Sequence, residues 1–237
     1  MTAPILVALD VPTADDALAL AQKVEPHVAG FKVGLELMMG SGPGVIGSLA
    51  DLGKPVFADA KLHDIPNTVR NAARRLGEHG ARWVTVHASG GEAMMAAAVE
   101  GLDAGSGAQD SGVLAVTVLT SLSDADLRRI GIDASTEEQA IRLATMADSE
   151  GVEGAVCSPY EIELIRDHAP RLVTVVPGIR PSGSDPHDQA RIATPEDAIL
   201  RGATYLVIGR AITAAPDPGV AAAEIASSIV DRGPTAG

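Results

Sequence analysis

Aromatic residues are nearly missing from this chain: Phe, Trp and Tyr together make up 2% of its 237 residues. A core must therefore be built from Ala, Val, Leu and Ile, and a surface that stacks nucleic-acid bases, which needs rings, is excluded. One cysteine is present, Cys157. That rules out an intrachain disulfide and a cysteine-based zinc site, and Cys157 reads as a small buried apolar residue. Positive charge is scarce too, with 18 Lys and Arg against 31 Asp and Glu, a formal net charge of −13. Such a surface repels phosphodiester backbones, so any nucleotide recognised here is a small ligand in a local basic pocket. No apolar run approaches the roughly 20 residues of a membrane span. The start, Met1-Thr2-Ala3-Pro4-Ile5, lacks the basic and apolar stretches of a signal peptide. These absences predict a cytoplasmic protein with no membrane or nucleic-acid partner.

What the chain does contain is a recurring pattern. Short β-branched runs occur at Ile5–Asp10, Phe31–Glu36, Val56–Lys61, Trp83–His87, Val113–Leu119, Gly154–Ser158, Leu172–Pro177 and Tyr205–Gly209. Most are continuously apolar, as parallel strands covered on both faces must be. Segments such as Ala14–Val24, Thr68–Gly77, Gly91–Leu102 and Glu137–Asp148 suit crossover helices. Eight strand–helix units predict an α/β fold, a (β/α)₈ TIM barrel, ahead of a doubly wound open sheet. No linker divides residues 1–237, so a single domain is expected. Gly105–Gly112 reads as a loop, Gly233–Gly237 as a frayed tail, and Arg180–Gln189 as a long loop able to close over a ligand.

In a barrel enzyme the site lies at the carboxyl ends of the strands. Polar residues fall there: Asp10, Lys32, Asp59, Lys61, His87, Thr120, Arg180 and Gly209-Arg210. Asp59 and Lys61 stand two apart on one strand, so their side chains share a face. An aspartate beside a lysine keeps the ammonium charged and aimed; a structural ion pair plugging the barrel is the blander and less favoured reading of the two residues. Asp64 lies before Pro66, where aspartate commonly caps a helix. Two arginines, Arg180 and Arg210, follow the seventh and eighth strands, where barrels commonly bind phosphate. Gly42-Pro43-Gly44-Val45-Ile46-Gly47 matches the dinucleotide-binding glycine pattern literally. It follows the second strand at a distance rather than the first, so it reads as a glycine-rich entry to a helix.

The run Asp59-Ala60-Lys61-Leu62-His63-Asp64-Ile65-Pro66-Asn67-Thr68, followed by Val86-His87-Ala88, Pro177-Gly178-Ile179-Arg180, Asp188-Gln189 and Ile208-Gly209-Arg210, resembles the orotidine 5′-phosphate decarboxylases of the shorter bacterial type. The D-x-K-x-x-D core alone is shared with magnesium-dependent sugar-phosphate decarboxylases and aldolases; the longer run is more specific. The resemblance implies decarboxylation of orotidine 5′-monophosphate to uridine 5′-monophosphate, the last step of de novo UMP synthesis, with no cofactor and no metal. It implies that Lys61 protonates C6 of the pyrimidine, with Asp59 and Lys32 flanking the substrate carboxylate. Asp64 and Thr68 would serve the neighbouring site of a homodimer, Thr68 and Asp10 on ribose hydroxyls. Thr120 would contact the pyrimidine, and Arg180, Gln189, Gly209 and Arg210 the phosphate. His63 and His87 are assigned structural roles, since the reaction requires no base. A catalytically silent nucleotide-binding barrel is the alternative from a different class.

Overall fold

The structure, a computed structural model, describes residues 2–107, 110–181 and 193–230. Eight strands, β1 (Ala3–Ala8), β2 (Val28–Val33), β3 (Val56–Leu62), β4 (Trp83–His87), β5 (Gly112–Val116), β6 (Gly154–Val156), β7 (Val173–Val176) and β8 (Tyr205–Ile208), pair in chain order. All pairings are parallel, and β8 returns to β1 to close the barrel. The predicted (β/α)₈ fold is therefore the one adopted. Both faces of each strand are covered, which is why the runs are continuously apolar. Leu6, Ala8, Phe57, Trp83, Leu114, Val175 and Val207 pack together inside the barrel. Their strand neighbours, such as Ile5, Val7, Val84 and Val86, join the larger layer beneath the helices.

Strand ends differ from the sequence reading where apolar residues continue past the ladder. β1 stops at Ala8, so Asp10 stands beyond the strand rather than closing it. Leu35 and Glu36, read as the end of the second strand, open the helix Leu35–Ser41. That helix also settles the glycine motif. Gly42 ends it at φ 75°, and Gly44–Ala50 is already the next helix. The motif is a junction between two helices, without the strand that a dinucleotide fingerprint needs.

The helix expected over Gly91–Leu102 runs from Glu92 to Ser106, absorbing Gly105 and Ser106 from the expected loop. Its partner is the helix Pro66–Glu78, started by a proline whose missing N–H costs nothing at that position. The two approach so closely that a side-chain carbon at Gly101 would overlap the Arg70 carbonyl, and one at Gly105 the Arg74 carbonyl. Backbone-to-backbone packing extends a helix that propensity would end. Among the described residues no helix is long and apolar enough to cross a membrane.

β3 carries the one irregularity that matters to the site. Ala58 pairs with Val84, but the next pair is Leu62 with Val86. Four steps of β3 thus face two of β4, and the excess is taken up by a bulge. Within it Lys61 adopts φ 48°, the only non-glycine residue at positive φ among the described residues.

Candidate active site

At the carboxyl ends of the strands lies a cavity of about 390 Å³. Its floor is the top of the barrel interior, where Ala8, Phe57, Val156 and Val207 present small or flat apolar surfaces. One wall carries Asp10, Lys32, Asp59 and Lys61, and the rest of the rim carries Thr120, Ser121, Arg180, Gly209 and Arg210.

The four charged residues form a continuous chain of alternating sign. Lys32 Nζ donates to Asp10 Oδ1 at 3.2 Å and lies 3.5 Å from Asp59 Oδ2. Lys61 Nζ donates to that same Oδ2 at 2.7 Å. The opposite oxygen, Oδ1, accepts from the Thr85 hydroxyl at 3.0 Å. Burial on its own would raise the Asp59 pKa. Lys32 and then Lys61, with hydrogen bonds from Lys61 and Thr85, outweigh burial and hold the carboxyl below its usual 3.8. Two cations and two anions balance, so the chain places charge in the cavity without burying a net excess.

Asp59 and Lys61 meet as expected, though not by plain pleating. The inward phase of β3 runs from Phe57 to Asp59, and the bulge then turns Lys61 into the left-handed region. Its backbone N–H, displaced from the ladder, donates to Thr85 Oγ1 at 2.9 Å. Asp10 belongs to the ion chain as well as the rim. Gly34 makes room for it: a side-chain carbon there would stand 2.7 Å from Asp10 Oδ1 and 3.0 Å from Lys32 Nζ.

Gly178 turns the chain after β7 at φ 78° and delivers Arg180 to the rim, where its Nη1 donates to the Ile179 carbonyl at 2.7 Å. Gly209 and Arg210 follow β8 onto the same rim. Gln189 lies outside the described residues. Asp64 and Thr68 do not line this cavity; both are exposed. Nor does Asp64 cap the following helix, since the N-cap is Ile65 and the Asp64 carboxylate accepts the Ile65 N–H at 2.7 Å. His63 and His87 face each other with ring centroids 5.5 Å apart. Burial, followed by the neighbouring His63 and Lys61, pushes the His87 pKa below 6.5 against the opposing pull of Asp59. Cys157 is buried. Sequence reasoning missed Thr85 and Gly34. Alternation from His87 gives Thr85 its inward face, but no local signal reveals its partners.

A model of the Orotidine 5′-phosphate decarboxylase / HUMPS family matches residues 3–225. Proteins named orotidine 5′-phosphate decarboxylase from Pseudomonas fluorescens and Anaeromyxobacter sp. are 46% and 48% identical over 226 residues, 95% of this chain and 97% of each relative. The crystal structure of orotidine 5′-phosphate decarboxylase from Lactobacillus acidophilus superposes with a TM-score of 0.85 at 38% identity, covering 96% of this chain and 99% of that one. A cavity with an Asp-Lys-Asp-Lys wall on a closed barrel, and relatives this similar along nearly the whole length, place the chain in the orotidine 5′-phosphate decarboxylase / HUMPS family.

Proposed function

We propose that this chain decarboxylates orotidine 5′-monophosphate to uridine 5′-monophosphate and carbon dioxide. The observation that carries the reading is the ion chain Asp10–Lys32–Asp59–Lys61 on one wall of a cavity whose rim holds Arg180 and Arg210. Loss of carbon dioxide from C6 leaves an electron pair in the plane of the pyrimidine ring, where the π system cannot absorb it. Positive charge and a proton must be supplied from the protein. Lys61 offers both, as a half-buried ammonium aimed into the cavity, and delivers its proton to C6. Asp59 and Lys32 flank the departing carboxylate. Thr120 contacts the pyrimidine, Asp10 a ribose hydroxyl, and Arg180, Gly209 and Arg210 the phosphate; Gln189 joins them in this proposal.

Magnitudes assign the larger share to Lys61. One charge pair at about 4 Å is worth roughly 4 kcal/mol at an effective dielectric of 20, whereas enzymes commonly supply about 8–23 kcal/mol. Repulsion between Asp59 and the substrate carboxylate does not suffice. Stabilisation by Lys61 adds to it, and phosphate binding by Arg180 and Arg210 holds the substrate in place for both. No cofactor has a part in this scheme. Both Asp59 oxygens already accept from Thr85 or Lys61, a donor set arranged around an ammonium rather than a divalent cation.

The deciding experiment follows the absorbance of orotidylate with purified protein in excess chelator. Bleaching at an undiminished rate is expected. Activity that requires added magnesium points instead to the sugar-phosphate chemistry of the shared motif, and uridylate binding without bleaching points to a silent nucleotide-binding barrel. The proposal extends to a cytoplasmic homodimer in which Asp64 and Thr68 serve the neighbour's site, supported by their exposure beside the exposed Ile65. Mixed Lys61→Ala and Asp64→Asn proteins are expected to regain activity through hybrids with one intact site. Demonstrated subunit exchange without recovery overturns the sharing.

A further inference from the structure

Thr85 does not line the cavity, yet it ties together two residues that do. It is fully buried in the middle of β4, on the inward phase of Trp83. It stands between Val84 and Val86, the two β4 residues that bracket the bulge of β3. Of the three threonines buried among the described residues, Thr117 donates to the Val156 carbonyl and Thr174 to the Gly202 carbonyl, both backbone groups. Thr85 alone among them donates to an ionisable side chain.

The direction of each hydrogen bond is fixed by chemistry. A hydroxyl has one proton and two lone pairs. The Lys61 N–H can only donate, so Thr85 Oγ1 accepts it at 2.9 Å. The hydroxyl proton then goes to the ionised Asp59 Oδ1 at 3.0 Å. With Oδ1 held there, Oδ2 is turned toward both lysine ammoniums. The same hydroxyl satisfies an N–H that the bulge removed from the ladder, in a residue whose left-handed backbone persists only where its surroundings over-determine it.

We propose that Thr85 is a positioning residue for decarboxylation: its single hydroxyl sets the rotation of the Asp59 carboxylate and anchors the Lys61 backbone, so that both groups are aimed before substrate arrives. The inference rests on the decarboxylase reading above. It gives a buried strand residue, outside the cavity, control over the relative geometry of the carboxylate and the ammonium. Thr85→Val keeps the β-branched shape and removes the hydroxyl; Thr85→Ser keeps the hydroxyl and removes the methyl.

The experiment measures orotidylate turnover, uridylate affinity and thermal melting for wild type and both variants. For Thr85→Val, kcat is expected to fall about 10- to 100-fold, the effect of losing one hydrogen bond to a charged group. Uridylate affinity is expected to stay within about threefold, because the variant disturbs groups that act on the reacting carbon rather than on the phosphate. The acid limb of the kcat–pH profile moves to higher pH, since Asp59 loses a donor that favours its ionised form. Thr85→Ser is expected to retain kcat within about threefold of wild type. Thr85→Ala is read in place of the valine variant should the latter not fold. A hydroxyl-free variant with wild-type kcat and pH profile overturns the inference, as does a serine variant that loses as much as the valine variant. A wild-type protein that never bleaches orotidylate overturns the decarboxylase reading itself, and the two failures are told apart by that control.

Discussion

Both ends of the barrel carry paired charge, and they hold it differently. At the amino ends of the strands, Arg82 Nη1 and Nη2 fork onto Glu153 at 2.8 and 2.9 Å, and Trp83 Nε1 donates to the same carboxylate at 2.9 Å. The guanidinium lies 4.6 Å from the Trp83 ring centroid, with Asp110 at 3.0 Å on its far side. Gly112 has no side chain at the point where Glu153 passes; a carbon there would overlap the carboxylate. At the carboxyl ends, two lysines on flexible stems make single-point contacts with one oxygen of Asp59, and the Lys61 side chain stays 31% exposed to the cavity. The rigid fork saturates its partner and leaves nothing to offer a ligand. The lysine end keeps its donors free to turn. Similar charges close one end of the barrel and equip the other.

That division breaks first, and furthest, at Lys61. Lys61→Ala is expected to lower orotidylate turnover at least about 10³-fold, since it removes the charge that stabilises the carbanion together with the proton it receives, while Lys32 still pairs with Asp59 and limits the loss in melting temperature. Glu153→Gln is expected to do the reverse. It weakens a partly exposed ion pair and costs about 1–2 kcal/mol after solvent screening, or roughly 2–8 °C in a chain of this size, with kcat unchanged. Calorimetry and turnover measured on both variants check the pair of expectations; a Glu153→Gln protein that loses turnover without melting earlier would show the two ends to be coupled.

The smallest effect concerns His87. Its folded pKa lies below 6.5, so the unfolded chain takes the proton first. Its contribution to stability is full above the unfolded value and is lost as pH falls toward the folded one, with a slope of at most about 1.4 kcal/mol per pH unit. His87→Asn should flatten the difference in stability between about pH 5 and about pH 7. An unchanged difference in denaturant titrations at both values would remove His87 from the account.

Every barrel strand was legible from apolar runs, because parallel strands covered on both faces leave an unbroken signal. Their ends were less so. Leu9 is fully buried beyond β1 without belonging to it, and Leu35 is apolar yet opens a helix. Apolar patterning reports burial, and burial continues where the ladder stops. In the site, Asp10, Lys32, Asp59, Lys61, Thr120, Arg180 and Arg210 were all legible from strand-end position and do gather on one cavity. Thr85 and Gly34 were not. The role of Thr85 depends on a register shift between β3 and β4, and that of Gly34 on where Asp10 Oδ1 comes to rest. Both are relations between distant segments, to which local periodicity is blind. The bulge at Lys61 was hidden for the same reason.

The closure of β8 onto β1 also bears on how copies of the chain can meet. An open sheet offers its border strands to any passing chain, which invites both orderly extension and uncontrolled aggregation. A ring of strands offers no such border. Among the described residues the barrel strands are thereby closed to strand addition, which leaves loops and helices as the outer surface. Among those loops and helices Met39 and Ile65, in the β2 and β3 crossovers, are apolar and exposed, and the shape they present can be tuned without touching the barrel wall.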